Sequence, residues 1–133
     1  MSELAEANKT IVRRALTGIL VNGNMDVIDE LYAPSYMHHA GGDIDRETFR
    51  ANEAGFMAAV SDSNVEFLNL VGEGEWVAAH YVVSATHTGE LAGIPASGKT
   101  FSLPIMMHFH VVGGQIVEDW EETNFAGLVA QLS

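Results

Sequence analysis

Apolar and polar positions divide the chain into two halves of different period. Over residues 3–21, Leu4, Asn8, Ile11, Val12, Ala15, Leu16 and Ile19 fall on one helical stripe, with Lys9, Arg13 and Arg14 elsewhere on the same helix. Asn22, Gly23 and Asn24 follow, and such residues tolerate the left-handed conformation that ends a helix. Asn24 then caps a short second helix through Val27, Ile28 and Leu31, which Pro34 stops. A loop is expected over 35–45. A third helix over about 46–60 turns Phe49, Phe56, Ala59 and Val60 toward a core. From Asn64 the period becomes two, and strands are expected over 65–71, 76–88, 101–112 and 116–124. A turn separates the first two, a Gly- and Pro-rich loop covers 89–99, and Gly113-Gly114 suits a two-residue hairpin turn. A short helix at 125–132 closes the chain. Helices first and hairpins after, without repeat or linker, describe one α+β domain over 1–133. Its antiparallel sheet carries the helices on one face, and strands this long in so small a domain must curl around the core.

Alternation assigns the sheet's side chains to faces. Phe101, Leu103, Ile105, Met107, Phe109 and Val111 form an unbroken apolar row that should face the helices and any pocket. The opposite row, Ser102, Pro104, Met106, His108, His110 and Val112, is mixed and should face outward. Across the Gly-Gly turn, Val117, Asp119, Glu121 and Thr123 share one face, and Ile116, Glu118, Trp120 and Glu122 the other. By register, Asp119 and Glu121 continue the Met107–Phe109 row.

Charge narrows the partners. Eighteen acidic residues against six Lys and Arg give a formal charge of −12. That argues against nucleic acid and an anionic membrane surface, both of which need clustered cations. A small, mostly apolar or aromatic molecule is the partner such a chain accommodates most easily. No cysteine is present, so disulfides, thiolate nucleophiles and Cys-ligated zinc are excluded. The acidic N-terminus does not read as a signal peptide, and a cytoplasmic location is expected.

Motifs for other chemistries are missing. There is no nucleophile elbow, no Gly-rich nucleotide loop and no lysine in an apolar run. His108 and His110 share a strand face and could ligate one ion, but the Gly-rich spacing that usually precedes such a pair is absent. Two imidazoles on an outer sheet surface near Trp120 describe them as well. Carboxylates and imidazoles are what is left for chemistry. In an apolar cavity Glu121 and Asp119 would have raised pKa values and could exchange protons near neutral pH. On a solvated edge strand, the run from Glu118 to Glu122 would do nothing of the kind.

Residues spread along the chain carry a resemblance. Asn8-Lys9 with Val12-Arg13-Arg14, Asn22-Gly23-Asn24, and Ala33-Pro34-Ser35-Tyr36-Met37-His38 come first. Thr86-His87-Thr88-Gly89-Glu90-Leu91-Ala92-Gly93-Ile94-Pro95, then Gly98-Lys99 and Phe101-Ser102, form the most specific stretch. Gly114-Gln115-Ile116-Val117-Glu118-Asp119-Trp120 leads to Asn124-Phe125, Gly127 and Gln131-Leu132. In order and spacing the chain resembles the SnoaL-like polyketide (ester) cyclases of the nuclear transport factor 2-like superfamily. The resemblance implies a cone-shaped α+β fold, its bent sheet wrapped around helices and enclosing a pocket, commonly in a homodimer. It implies ring closure by intramolecular aldol condensation without metal or organic cofactor, and the expected function is a cofactor-independent acid–base enzyme of this type (aldol cyclase, isomerase or related lyase or hydrolase) on a small, mostly apolar carbonyl compound. Glu121 matches the acid on the last strand that moves the proton, and His38 a polar pocket residue assisting it. Tyr36, His87, Ile105, Met107, Phe109 and Asp119 are expected against the substrate. Two residues differ: the family carries Asp where Glu121 stands and His where Met107 stands, leaving a more apolar pocket. A binding or dimerisation module of the same fold is the other reading. Dimerisation would use the outer face with Met106, His108, His110 and Trp120.

Overall fold

The computed structural model describes residues 2–133. Three helices, α1 (Glu3–Leu20), α2 (Asp26–Leu31) and α3 (Arg46–Ala58), pack on a curved sheet. The sheet is made of β1 (Tyr32–His39), β2 (Asp43–Asp45), β3 (Val60–Glu73), β4 (Trp76–His87), β5 (Thr100–Val112) and β6 (Gln115–Thr123), and α4 (Phe125–Leu132) follows it. Strand order is β2-β1-β6-β5-β4-β3. Among the described residues no helix is long and apolar enough to cross a membrane.

Local chemistry sets the helix boundaries. The Ser2 hydroxyl accepts from the Ala5 amide at 3.0 Å, the Asp45 carboxylate from Thr48 at 2.9 Å, and Asn124 from Gly127 at 2.8 Å, each satisfying a first-turn donor. Gly18 lets α1 and α2 meet, since a Cβ there would sit 2.8 Å from a Val27 methyl. Asn8 is buried on the α1 stripe, and its amide donates to the Gly74 carbonyl at 3.2 Å, tying the helix to the β3–β4 turn. At the β5–β6 turn Gly113 and Gly114 have φ of 58° and 83°, as the turn requires.

The concave face carries the core. Val77, Ala79, Tyr81, Val83 and Ala85 of β4 and all six odd residues of β5 are buried against Val12, Leu16, Ile19, Ile28 and Leu31. Each of these side chains removes apolar area worth roughly 25 cal/mol per Å² from water, and that holds the helices to the sheet.

Four expectations need correction. The sheet is mixed, because β1 runs parallel to β6 while the other neighbours are antiparallel. Residues 35–45 are not a loop: β1 and β2 pair there, Met37 with Asp45 and His39 with Asp43. Pro34 lies where the β1–β6 register shifts, between Tyr32 and Met37, so its missing N–H breaks no regular ladder. The third helix stops at Ala58 and β3 begins at Val60, its alternation disturbed by a register shift between Ser61 and Asn64 with Asp62 at φ 54°. Finally, Ile116 is fully buried beside Val111 instead of sharing the outer face with Trp120. The cause is a bulge: His110 pairs with Glu118 and Val111 with Ile116, so Val117 is extra and the faces exchange there.

Candidate functional site

Between the helices and the sheet lies a cavity of about 140 Å³. An apolar cavity of about 150 Å³ takes up one benzene-sized ring, and this one is of that order. Leu16 and Ile19 of α1, Phe49 and Phe56 of α3, and Leu103, Ile105 and Met107 of β5 supply apolar walls. Its titratable lining groups are Glu53, Glu121, Tyr32 and Tyr81.

Sheet register brings the polar groups together. Glu121 of β6 pairs with Met107 of β5, and Asp119 with Phe109, so both acids continue the inward row of β5. On the other side of β6, the parallel pairing sets His38 opposite Asp119. Asp119 is completely buried, and its two carboxylate oxygens are occupied. Oδ1 lies 2.6 Å from His38 Nδ1, and Oδ2 accepts from the Tyr36 hydroxyl at 2.7 Å. With Nδ1 committed to Asp119, Nε2 of His38 is directed to Glu121 Oε1, 3.9 Å away. Phe49 packs 5.1 Å from the imidazole, centroid to centroid.

Environment sets the protonation of these groups. Burial raises the Glu121 pKa, the charge of His38 opposes that rise, and Asp119 adds to it. Burial works against a charged His38, but its bond to Asp119 and the charges of Asp119, Glu121 and Glu53 win, and the imidazole pKa rises. Tyr36 is held well above the usual phenol range, first by burial and then by Asp119, so it stays a donor. Glu53 is pushed up to about 8, by burial and then by the charges of Glu121 and Asp119 against that of His38.

The expected site residues therefore separate. Glu121, Ile105 and Met107 line the cavity. His38, Tyr36 and Asp119 form the buried cluster behind Glu121. Phe109 is fully buried in the core and pairs with Asp119 rather than lining the cavity. His87 stands apart at the end of β4: its Nδ1 lies 2.8 Å from the Ser97 hydroxyl and accepts from the Ser97 amide at 3.2 Å. That leaves its Nε2 buried without a partner, and the ring fastens the loop that follows β4. His108 and His110 lie across the sheet from the cavity, His110 stacked on Trp76 at 4.2 Å and bonded to Glu75 at 2.9 Å.

Sequence reasoning missed Glu53 and Tyr81. Glu53 falls four residues after Phe49 and three before Phe56, on the apolar stripe of α3, and a carboxylate in that stripe is the signal that could have found it. Tyr81 is on the inward row of β4, and its hydroxyl donates to the thioether of Met107 at 3.0 Å.

The site has the parts for proton transfer: a carboxylate in an apolar cavity, and an imidazole oriented by a buried acid. A family model described as SnoaL-like polyketide cyclase matches residues 10–132. Nogalonic acid methyl ester cyclase of Streptomyces nogalater is 28% identical over 116 residues, 83% of this chain and 86% of that one. A SnoaL-like protein from Jannaschia sp. CCS1 superposes with a TM-score of 0.91 at 21% identity, over 100% of this chain and 96% of the other. TsrD from Streptomyces laurentii gives 0.86 at 25% identity, over 100% and 98%. The structural likeness establishes the fold, and the family model, which spans all but the two ends, establishes more: this chain belongs to the SnoaL-like polyketide cyclase family.

Proposed function

We propose that this protein is a cyclase-type enzyme whose own carboxylate and imidazole move the proton, acting on a small, mostly apolar carbonyl compound. Glu121 removes a proton from the carbon beside a carbonyl. The resulting enolate carbon attacks a second carbonyl carbon of the same molecule, forming the ring bond, while that carbonyl's electron pair moves to its oxygen. Glu121 then returns its proton to this alkoxide, so substrate and product are isomers. His38 is a positioning residue: held by Asp119 and Tyr36, it keeps a positive charge near Glu121 and steadies the carboxylate form. The observation carrying this reading is the Glu121 carboxyl in an apolar cavity, 3.9 Å from an imidazole whose other nitrogen is bound to a buried acid.

Deuterium exchange at the α-carbons of cyclohexanone, a one-ring ketone of suitable size, tests the first step. In D₂O at pH 7 the protein should accelerate incorporation above the buffer rate. Glu121→Gln keeps size and hydrogen bonding but cannot cycle a proton, so the acceleration should fall about a hundredfold or more. Bound cyclohexanone, seen by chemical-shift changes, that exchanges only at the buffer rate would make the chain a binding module.

A further inference from the structure

We propose that Glu53 and Tyr81 form a donor pair that holds the substrate's carbonyl oxygen, with Glu53 acting as a neutral carboxylic acid opposite the base Glu121. The proposal rests on Glu121 being that base and assigns the rest of the same cavity.

Geometry supplies the first argument. Glu53 from α3, Tyr81 from β4 and Glu121 from β6 line one cavity of about 140 Å³ whose other walls are mostly apolar. Like charges so confined cannot both ionise cheaply, so one carboxyl keeps its proton. Which one follows from the partners. Glu121 has His38 Nε2 at 3.9 Å. Among the described residues no basic side chain pairs with Glu53, which faces Glu121, Asp119 and His38 and no other titratable charge. The proton therefore stays on Glu53, whose affinity for it is pushed up to about 8. A protonated carboxyl has an O–H to donate, whereas a carboxylate can only accept.

Tyr81 supplies the second. Its hydroxyl is buried in the cavity wall and spends its hydrogen on the Met107 sulfur, a weak acceptor. Met107 in turn is the cross-strand neighbour of Glu121. A carbonyl oxygen entering the cavity is a better acceptor than a thioether and would take that hydrogen. Two O–H donors at one oxygen strengthen as charge gathers there during enolate formation, and losing one such donor typically costs a factor of 10²–10³. The arrangement also selects a substrate class: neutral ketones and esters, since a carboxylate would have to enter beside Glu121, and among the described residues no Lys, Arg or His lines the cavity to receive it.

The infrared carbonyl stretch of ¹³C-labelled cyclohexanone bound to the protein tests this without any turnover. Hydrogen bonds to the oxygen lower that frequency, so it should fall below its value in hexane in the wild type. Glu53→Leu and Tyr81→Phe should each return part of the shift, and Glu53→Gln, which keeps an N–H donor, should retain most of it. Exchange catalysis should drop about a hundredfold in Glu53→Leu and much less in Glu53→Gln. A wild-type stretch at the hexane value, or one unchanged in a folded Glu53→Leu, overturns the proposal, as does failure of the ketone to bind. A Glu53-dependent shift without exchange upholds the donor pair and sinks instead the assignment of Glu121 as base.

Discussion

A carboxyl group in an apolar cavity costs little when protonated and much when charged, and this makes Glu53 visible to a melting curve. Its folded pKa, about 8, lies above that of an unfolded glutamate, near 4.3. The native state thus holds a proton that the unfolded chain has lost. Glu53 therefore favours folding fully below the ordinary value, and that contribution is lost as pH rises through about 8. Glu53→Gln removes the dependence. The variant should match the wild type at pH 4 and exceed it at pH 9 by up to roughly 5 kcal/mol, the linkage free energy between 4.3 and about 8, with a higher melting temperature. Equal melting temperatures at both pH values would mean a solvated Glu53 and would remove the physical basis for its role. Glu121 was legible in the sequence through the resemblance, which matches it to the acid on the last strand; alternation counted across the two-residue turn alone would pair it with Met106, and the extra Val117 brings it opposite Met107. Glu53 was not: α3 also carries Arg46, Glu47 and Arg50, and spacing alone does not say which part of a helix spans a cavity.

At the scale of elements, the site depends on the contact that sequence pattern concealed, the parallel pairing of β1 with β6. Hairpin partners announce themselves through turn residues between them, but β1 and β6 are separated by most of the chain, and no local signal marks a parallel neighbour. Pro34 and the register shift beside it further hide the inward alternation of Tyr36 and His38. Similarly, nothing in the composition of Gln115-Ile116-Val117-Glu118 announces the bulge that sets Asp119 and Glu121 on the same face as Ile116. The pairing is held by Asp119, which receives both the His38 imidazole and the Tyr36 hydroxyl. Asp119→Asn leaves His38 buried without its counter-charge, and removing one partner of a buried pair costs about 3–5 kcal/mol. His38 has a raised folded pKa, so the stability from its protonated form is full below about 6.5 and is lost as pH rises through the folded value. Denaturant titration of Asp119→Asn should therefore show a larger loss at pH 5.5 than at pH 9. A loss of under 1 kcal/mol at pH 5.5 would mean that the pair does not hold β1 in place. Exchange catalysis should fall with it, because His38 would no longer direct Nε2 at Glu121.

Across the whole molecule, the convex face of the sheet contradicts the charge of the chain. A protein of formal charge −12 should hide from its own copies, yet this face exposes aromatic and apolar side chains. Met106 is 59% exposed, Val112 41%, Trp76 39% and Trp120 38%, with His108 and His110 set among the two indoles. Trp76 and Trp120 lie 6.1 Å apart, and His39 stacks on the outer edge of Trp120 at 5.0 Å. Contiguous patches of this kind on an otherwise charged surface are characteristic of interfaces, where aromatic residues and Met are enriched and acids depleted at the centre. We propose that two copies of the chain cover this face in each other, which places the two cavities on opposite outer sides of the dimer. Two forces then compete: apolar burial, which salt hardly weakens, and the repulsion of two like-charged bodies, which salt screens over about 10 Å at 0.1 M. Dimerisation should tighten severalfold when ionic strength rises from 20 mM to 200 mM. A contact made of ion pairs would weaken instead. Sedimentation equilibrium at micromolar concentration should give twice the chain mass, and Met106→Asp, which sets a second carboxylate beside Glu122 on this face, should give a folded monomer that still binds cyclohexanone. A wild type that remains a monomer at 200 mM salt, or a Met106→Asp dimer of undiminished affinity, would show that this face is not the interface.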